Sequence, residues 1–325
     1  MVDYAQELKD IDIPTQRRKD IESAVTSSEA TQLRAVLGQL MWLATQGVPL
    51  VCAELSLLLA CTNTATINTL LQANKLIRRA KIEVQKELIM EKHLNPCIVG
   101  YSDAAWNVRR DGSSQGGFLI FMTDYSLMQN KEAPISLIAW ASAKLPRVCR
   151  SSSAAEVQAA SEAQEELEFC RLVLSELLLG PTPLKQWAAG CAKIPGALVL
   201  DCRGVFDALD KSESSALGMK DKRSALEALA LKRGMAATAT SLRWCHSGAQ
   251  LSDCMTKNSE KARASYNLKK KGMDTLDQDT FFAVDEDDAW QLYPDVLEIE
   301  TESEIVADYR HPEARRLMME DATPQ

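Results

Sequence analysis

Gly100-Tyr101-Ser102-Asp103-Ala104-Ala105-Trp106 is the stretch that decides the fold. It closes an apolar run that begins at Cys97, so it reads as a strand, and it ends that strand with a carboxylate. A carboxylate at the end of a buried element is costly unless something positive neutralises it. The same feature recurs three times downstream. Glu156 stands in SSSAAEVQAAS (151–161), Asp201 in LVLDCRGVFDAL (198–209) and Asp253 in AQLSDCMTK (249–257). Two of the four acids lie in apolar strand-like segments, and two lie at or near the start of helix-like ones. Four carboxylates so placed in one domain point to a metal site that works on phosphates.

The segments around these acids set the architecture. Ser27-Ser28-Glu29 reads as a helix start. A helix is expected over 30–45, with Leu33, Val36, Leu37, Leu40 and Leu43 on one side, and a second over about 50–60. A third, over 67–90, spaces Leu70, Ala73, Ile77, Ala80 and Val84 at helical intervals. Its outer face carries Lys75, Arg78, Arg79, Lys81 and Lys86. The stretch 35–61 is apolar, but Gln39, Gln46, Pro49 and Glu54 interrupt it. It therefore reads as a buried helical hairpin and not as a membrane span.

Beyond Pro96, strands are expected over 97–106, 116–123 and 135–141, with a turn at Arg109-Arg110-Asp111-Gly112. Ser151-Ser152-Ser153 caps a long helix over 154–179, which Gly180-Pro181-Thr182-Pro183 stops. A short buried parallel strand follows at 197–200, then helices near 205–210 and 220–234, a strand at 240–245, and a last helix opening at Leu251. The order β-β-β-α-β-α-β-α gives a mixed sheet with helices against it. Trp42, Trp106 and Trp140 are expected in core or edge packing. No Ser-His-Asp or Cys-His arrangement is supported by spacing.

Composition bounds the rest. The chain has 325 residues, 46% hydrophobic and 25% charged, as expected of a globular protein. Its net charge of −8 hides an asymmetry. Residues 274–325 carry 16 acidic and 3 basic side chains, a net of −13, while residues 1–273 carry 29 and 34, a net of +5. A mildly basic body thus bears an acidic, largely disordered tail. The nine cysteines are scattered singly without a CxxC pair, which argues against a zinc knuckle. The odd count and the lack of a signal peptide or transmembrane segment point to an intracellular protein with reduced thiols.

Read together, LRAVLGQLMWLA (33–44), GYSDAAW, SSSAAEVQAAS, LDCRGVFDAL and AQLSDCMTK resemble, in order and separation, the C-terminal part of a copia-type retrotransposon Pol polyprotein. There the end of a reverse transcriptase is followed by ribonuclease H. The resemblance spans roughly residues 4 to 260. It implies an α/β chain: a ribonuclease-H-like mixed five-stranded sheet with flanking helices over 96–273, preceded by a small all-α region over 1–95 that resembles the reverse-transcriptase thumb or connection.

The implied activity is two-metal hydrolysis of the RNA strand of an RNA–DNA hybrid, with two Mg²⁺ ions (Mn²⁺ as a substitute). By this resemblance Asp103 bridges both metals, Glu156 and Asp201 hold the ion on the leaving-group side, and Asp253 holds the ion that activates water. His246 matches a mobile auxiliary histidine. Lys75, Arg78, Arg79 and Lys81 would track the duplex from the first region. Lys257, Lys261, Arg263 and Lys269–Lys271 would do so from the other end. No YxDD-type palm motif occurs, so no polymerase activity is expected, and a reverse-transcriptase palm on another chain becomes a candidate partner. Three further departures stand out. Val48-Pro49-Leu50 replaces Arg-Pro-Asp, Cys202 replaces an Asn after the third acid, and Ala154 replaces an acid two residues before Glu156. They leave an alternative: a catalytically inactive remnant of the same fold, serving as a nucleic-acid-binding or structural module.

Overall fold

A computed structural model describes residues 1–129, 131–210, 219 and 221–257, together with the backbone of residues 275–276. The first 95 residues are helical: α1 (Val2–Glu7), α2 (Ser27–Gln46), α3 (Cys52–Leu59) and α4 (Ile67–Glu83). Thr26 and Glu29 form a reciprocal capping box at the start of α2, satisfying two backbone donors the helix leaves open. Leu33, Leu37, Leu40 and Leu43 of α2 are fully buried, as their spacing predicts. Pro49 opens the 3₁₀ turn Pro49–Val51 that leads into α3, so the two helices form the expected hairpin. Glu54 is buried in α3, and the Arg79 guanidinium of α4 pairs with it. No helix among the described residues is long and apolar enough to cross a membrane.

Two helical expectations change. α1 falls in a polar segment without a helical pattern. α4 stops at Glu83, seven residues before the expected end at Met90. The chain beyond it runs along the sheet, where Ser136 Oγ accepts from the Glu91 amide at 2.7 Å.

The rest is built on a sheet. Its elements are β1 (Pro96–Ala105), β2 (Gln115–Asp124), β3 (Ala133–Lys144), α5 (Ser152–Leu179), α6 (Trp187–Ala192), β4 (Gly196–Leu200), α7 (Arg203–Asp210), α8 (Lys222–Ala237), β5 (Thr240–Trp244), α9 (Asp253–Thr256) and β6 (Thr275–Leu276). The strand order is β5-β4-β1-β2-β3-β6. β1, β2 and β3 form an antiparallel meander, and β4 and β5 run parallel to β1 on its other side. Three antiparallel strands, a long helix, then parallel strands stacked outward from β1 make a mixed ribonuclease-H-like sheet. The two-residue β6, paired with Ala133 and Pro134, extends the five expected strands at the edge.

Burial dictates this order. β4 reads as an apolar run because it is covered on both faces, and all five of its residues are buried. α5 lies on the sheet through Val157, Ala160, Ala163 and Leu167, which meet Ile98, Ile120 and Leu198 in the main core. Its alanines let a 28-residue helix approach the strands closely. Arg171 of α5 is wholly buried, donating to the carbonyls of Ile194 (2.7 Å) and Thr238 (2.8 Å) and to Thr240 Oγ1 (2.7 Å). It thereby fixes the edge where β4 and β5 begin. The Arg109–Gly112 turn forms as expected, with Gly112 at φ +72°, a conformation that favours glycine.

The tryptophans are less buried than expected. Trp140 donates to the Ala44 carbonyl (2.9 Å) and joins β3 to α2. Trp42 and Trp106 are 48% and 47% exposed, because each uses only one edge: Trp42 against Tyr4, and Trp106 through Nε1 to the Cys149 carbonyl.

Candidate metal centre

Asp103 lies inside β1, two residues before its end, and is 3% exposed. The parallel register of β1 and β4 puts Tyr101 beside Val199. Two residues further along each strand, Asp103 and Asp201 come side by side. Asp201 directly follows Leu200, the last residue of β4, where the chain leaves the sheet. Asp253 is the first residue of α9, a position that suits a carboxylate near the open amides of a helix start. Carboxylate oxygens of Asp103, Asp201 and Asp253 all lie within 4.8 Å of one another.

Glu156, in the first turns of α5, stands outside that group of three. Its carboxyl nevertheless senses them. Burial first, then the charges of Asp103 and Asp201, push its pKa well above the usual range. Of the four acids expected from the sequence, the fold brings three within ligand distance of one another and leaves Glu156 outside that group.

The cluster is electrostatically costly. At about 4 Å, each pair of like charges repels by roughly 4 kcal/mol at an effective dielectric near 20. Burial, with the neighbouring Asp253 and Asp201 charges, raises the Asp103 pKa to about 7. Asp201 is raised by burial and by Asp253, while hydrogen bonds from Ser247 and Gln250 oppose the shift. Thr256 Oγ1 donates to Asp103 Oδ2. Among the described residues one cation faces the group: Lys257 Nζ lies 2.6 Å from Asp253 Oδ1. Burial works against its charge, but Asp103 and Asp253 hold its pKa above the ordinary value.

One ammonium against three or four carboxylates leaves a negative, oxygen-only donor set. Such a set fits a hard divalent cation such as Mg²⁺ or Mn²⁺, and it lacks the nitrogen and sulfur ligands of zinc sites.

Thr256, Ser247 and Gln250 were not foreseen as carboxylate partners. The signal for Thr256 and Lys257 was present, since positions three and four after Asp253 share its helix face. Lys257, expected to meet the duplex, stands in the carboxylate cluster itself.

The other candidates are dispersed. His246 Nδ1 accepts from the Gly248 amide (3.1 Å) and so caps the turn Ser247–Ala249. On α4, Lys75 and Arg78 are exposed, and Arg78 stands 3.6 Å from Asp10. Arg79 turns inward to Glu54, and Lys81 Nζ donates to the Gln6 carbonyl (3.2 Å). Lys261, Arg263 and Lys269–Lys271 lie outside the described residues, as does the acidic tail apart from the backbone of 275–276.

Spacing gives no sign of a Ser-His-Asp arrangement, and the fold forms only half of one. His93 Nε2 lies 2.9 Å from Ser136 Oγ, and His93 Nδ1 lies 3.7 Å from Asp124 Oδ2. Ser136 is 0% exposed and already accepts from the Glu91 amide, so its hydroxyl meets no substrate. The trio fastens the chain between α4 and β1 onto the sheet.

No family model matches the chain, and no curated protein matches it. Among solved structures it is similar to the native protease-reverse transcriptase of prototype foamy virus, at 12% identity and a TM-score of 0.30, over 55% of this chain and 20% of that one. It is also similar to the foamy viral protease-reverse transcriptase in complex with RNA/DNA hybrid, at 10% identity and a TM-score of 0.28, over 65% of this chain and 27% of that one. The chain therefore spans only about a fifth to a quarter of those proteins' length. At such TM-scores the likeness carries no argument, and the fold assignment rests on the strand order and register given above.

Proposed function

We propose that this chain is the ribonuclease H part of a copia-type retroelement, a divalent-metal-dependent endoribonuclease that cuts the RNA strand of RNA–DNA hybrids. The observation that carries the reading is the convergence of Asp103, Asp201 and Asp253 within 4.8 Å. They come from the central strand, the end of its parallel neighbour and the start of the short helix α9. In this reading those three residues hold Mg²⁺ or Mn²⁺, and Glu156 completes the set from α5. When bound, the metal would neutralise the cluster and stabilise the charge that develops on a phosphodiester.

The protein's own groups do the rest. Thr256 orients the Asp103 carboxylate, Ser247 and Gln250 orient that of Asp201, and Lys257 balances Asp253. His246, with Nδ1 occupied by a backbone amide, carries its proton on Nε2 when neutral and can pass it from there. Lys75 and Arg78 offer exposed charge for phosphates, and hybrid recognition by shape and 2′-hydroxyls needs no base-specific groups. The 1–95 and 96–273 regions are read as a reverse-transcriptase connection and the nuclease, and a polymerase palm on another chain is the partner this arrangement invites. The chain works inside the cell, where such hybrids are made.

The test is cleavage of a labelled RNA–DNA hybrid by the full chain with Mg²⁺, beside Asp103→Asn. Metal-dependent cleavage that the substitution abolishes is the expected result. A natively folded protein that cuts nothing refutes it. Hybrid binding without cleavage would favour the inactive-remnant reading.

A further inference from the structure

α9 has four residues, too few to hold a helix by its own hydrogen bonds. It nonetheless carries Asp253, and Thr256 beside it reaches Asp103. Something else must fix it. The sheet register shows what does: Asp103 in β1 pairs with Gly117 in β2, and Gly117 pairs with Ser142 in β3. These residues form one row across the sheet. At its centre, a Cβ on Gly117 would overlap Met255 Cβ and lie 3.1 Å from the Met255 carbonyl. The missing side chain is the space in which α9 rests. At the row's other end, Ser142 Oγ donates to the Met255 carbonyl.

That donation has a fixed direction. Gln115 Nε2 donates to Ser142 Oγ at 2.8 Å, so the serine proton is free for Met255. Gln115 Oε1 in turn accepts from Arg109 Nη1. Arg109 is 9% exposed, and among the described residues no carboxylate is hydrogen-bonded to it. Its other contacts are Ser56 Oγ (3.1 Å) and the Ser56 carbonyl (3.2 Å) of α3. A guanidinium can only donate, so it sets the polarity of the whole chain of bonds. The nearby Asp111 charge favours the guanidinium without bonding to it; burying a charge with no directly paired carboxylate is expensive, and packing alone would be better served by an apolar residue.

We infer that Gln115 and Ser142 are positioning residues for the metal centre. The Arg109–Gln115–Ser142 relay, anchored on Ser56, holds α9 over Gly117 and so sets Asp253 against Asp103. The inference rests on the proposed nuclease reading. It also makes the first helical region part of the centre's support, since Ser56 belongs to α3.

The experiment is titration of the full chain with Mn²⁺ by calorimetry at pH 7.5, with urea melts in EDTA alongside. Removing an outer partner of a metal ligand weakens metal affinity by about 10–100-fold. Ser142 acts on Asp253 through Met255, so Ser142→Ala should weaken Mn²⁺ binding by about tenfold, the low end of that range. Ser142→Thr, which keeps the hydroxyl, should stay within about threefold. Gln115→Glu separates positioning from packing. The new carboxylate gives Arg109 a counter-charge, so the melt midpoint should hold or rise. The same carboxylate draws the Ser142 proton away from Met255, so affinity should fall as in Ser142→Ala. Even if Ser142→Ala fails to fold, Gln115→Glu decides the matter. Wild-type affinity in the folded variants overturns the inference and leaves the nuclease reading standing. No Mn²⁺ binding by the wild type overturns both.

Discussion

Asp103→Asn tests the electrostatics of the site without any substrate. Burial, with the neighbouring Asp253 and Asp201 charges, pushes the Asp103 carboxyl up to about 7 from an ordinary value of 3.8. Because the folded-state pKa lies above the unfolded one, the folded chain holds the proton longer. The metal-free wild type therefore loses stability as pH rises from about 4 to about 7, by up to about 4 kcal/mol in all. Asparagine carries no charge at any of these pH values, and its carbonyl can still accept from Thr256. The substituted protein should be the more stable of the two in EDTA, and the gap should widen by about 2–3 kcal/mol between pH 5 and pH 8 and then level off. Urea melts at pH 5, 6, 7 and 8 measure it. Saturating Mg²⁺ should close the gap at pH 8 by stabilising only the wild type. A gap that does not change with pH, or a wild type more stable than Asp103→Asn in EDTA at pH 8, would refute the argument that burial and the neighbouring aspartates make the Asp103 charge costly.

Three other outcomes follow from the same geometry. Lys257→Met removes the cation beside Asp253. With the lysine side chain 47% exposed, the metal-free protein should lose only about 1 kcal/mol in a urea melt, recovered on adding Mg²⁺. Arg171→Met removes the guanidinium's bonds to the Ile194 and Thr238 carbonyls and to Thr240 Oγ1, which keeps Gln164 as a donor, so the chain should lose about 3 kcal/mol, read from the urea midpoint. Ser136 should resist a fluorophosphonate probe in the native protein, because its hydroxyl is fully buried; labelling there, located by mass spectrometry, would overturn the structural role given to the Ser136–His93–Asp124 trio.

The acids were legible because each sits at an abrupt local contrast. Asp103 interrupts a run of buried apolar residues, Asp201 ends one, and Glu156 follows three serines that cap a helix. The strand order was legible for a related reason: β4 is short and wholly apolar, which only a sheet covered on both faces accommodates. Arg109 shows where such reading stops. In sequence it opens the polar turn Arg109–Gly112, and the turn forms. Nothing local tells that its side chain folds back to Ser56, 53 residues earlier. Gly117 is equally silent, since its role depends on Met255. α6 and β6 went unforeseen because elements of six and two residues are too short to show a period. α4 was overextended because Ile89 and Met90 keep an apolar pattern while lying exposed beyond the helix end.

The hydrogen bond from Thr256 to Asp103 joins residues 153 positions apart. On a ribosome adding about 5–20 residues per second, roughly 8–30 s separate the synthesis of these two residues. For that interval the growing chain carries Asp103, and later Asp201, without the third aspartate of the cluster. In the proposed reading, a nascent chain of this protein cannot yet hold its metal or cut a hybrid. The capacity to cut arrives only when the α9 segment settles into its place on the sheet.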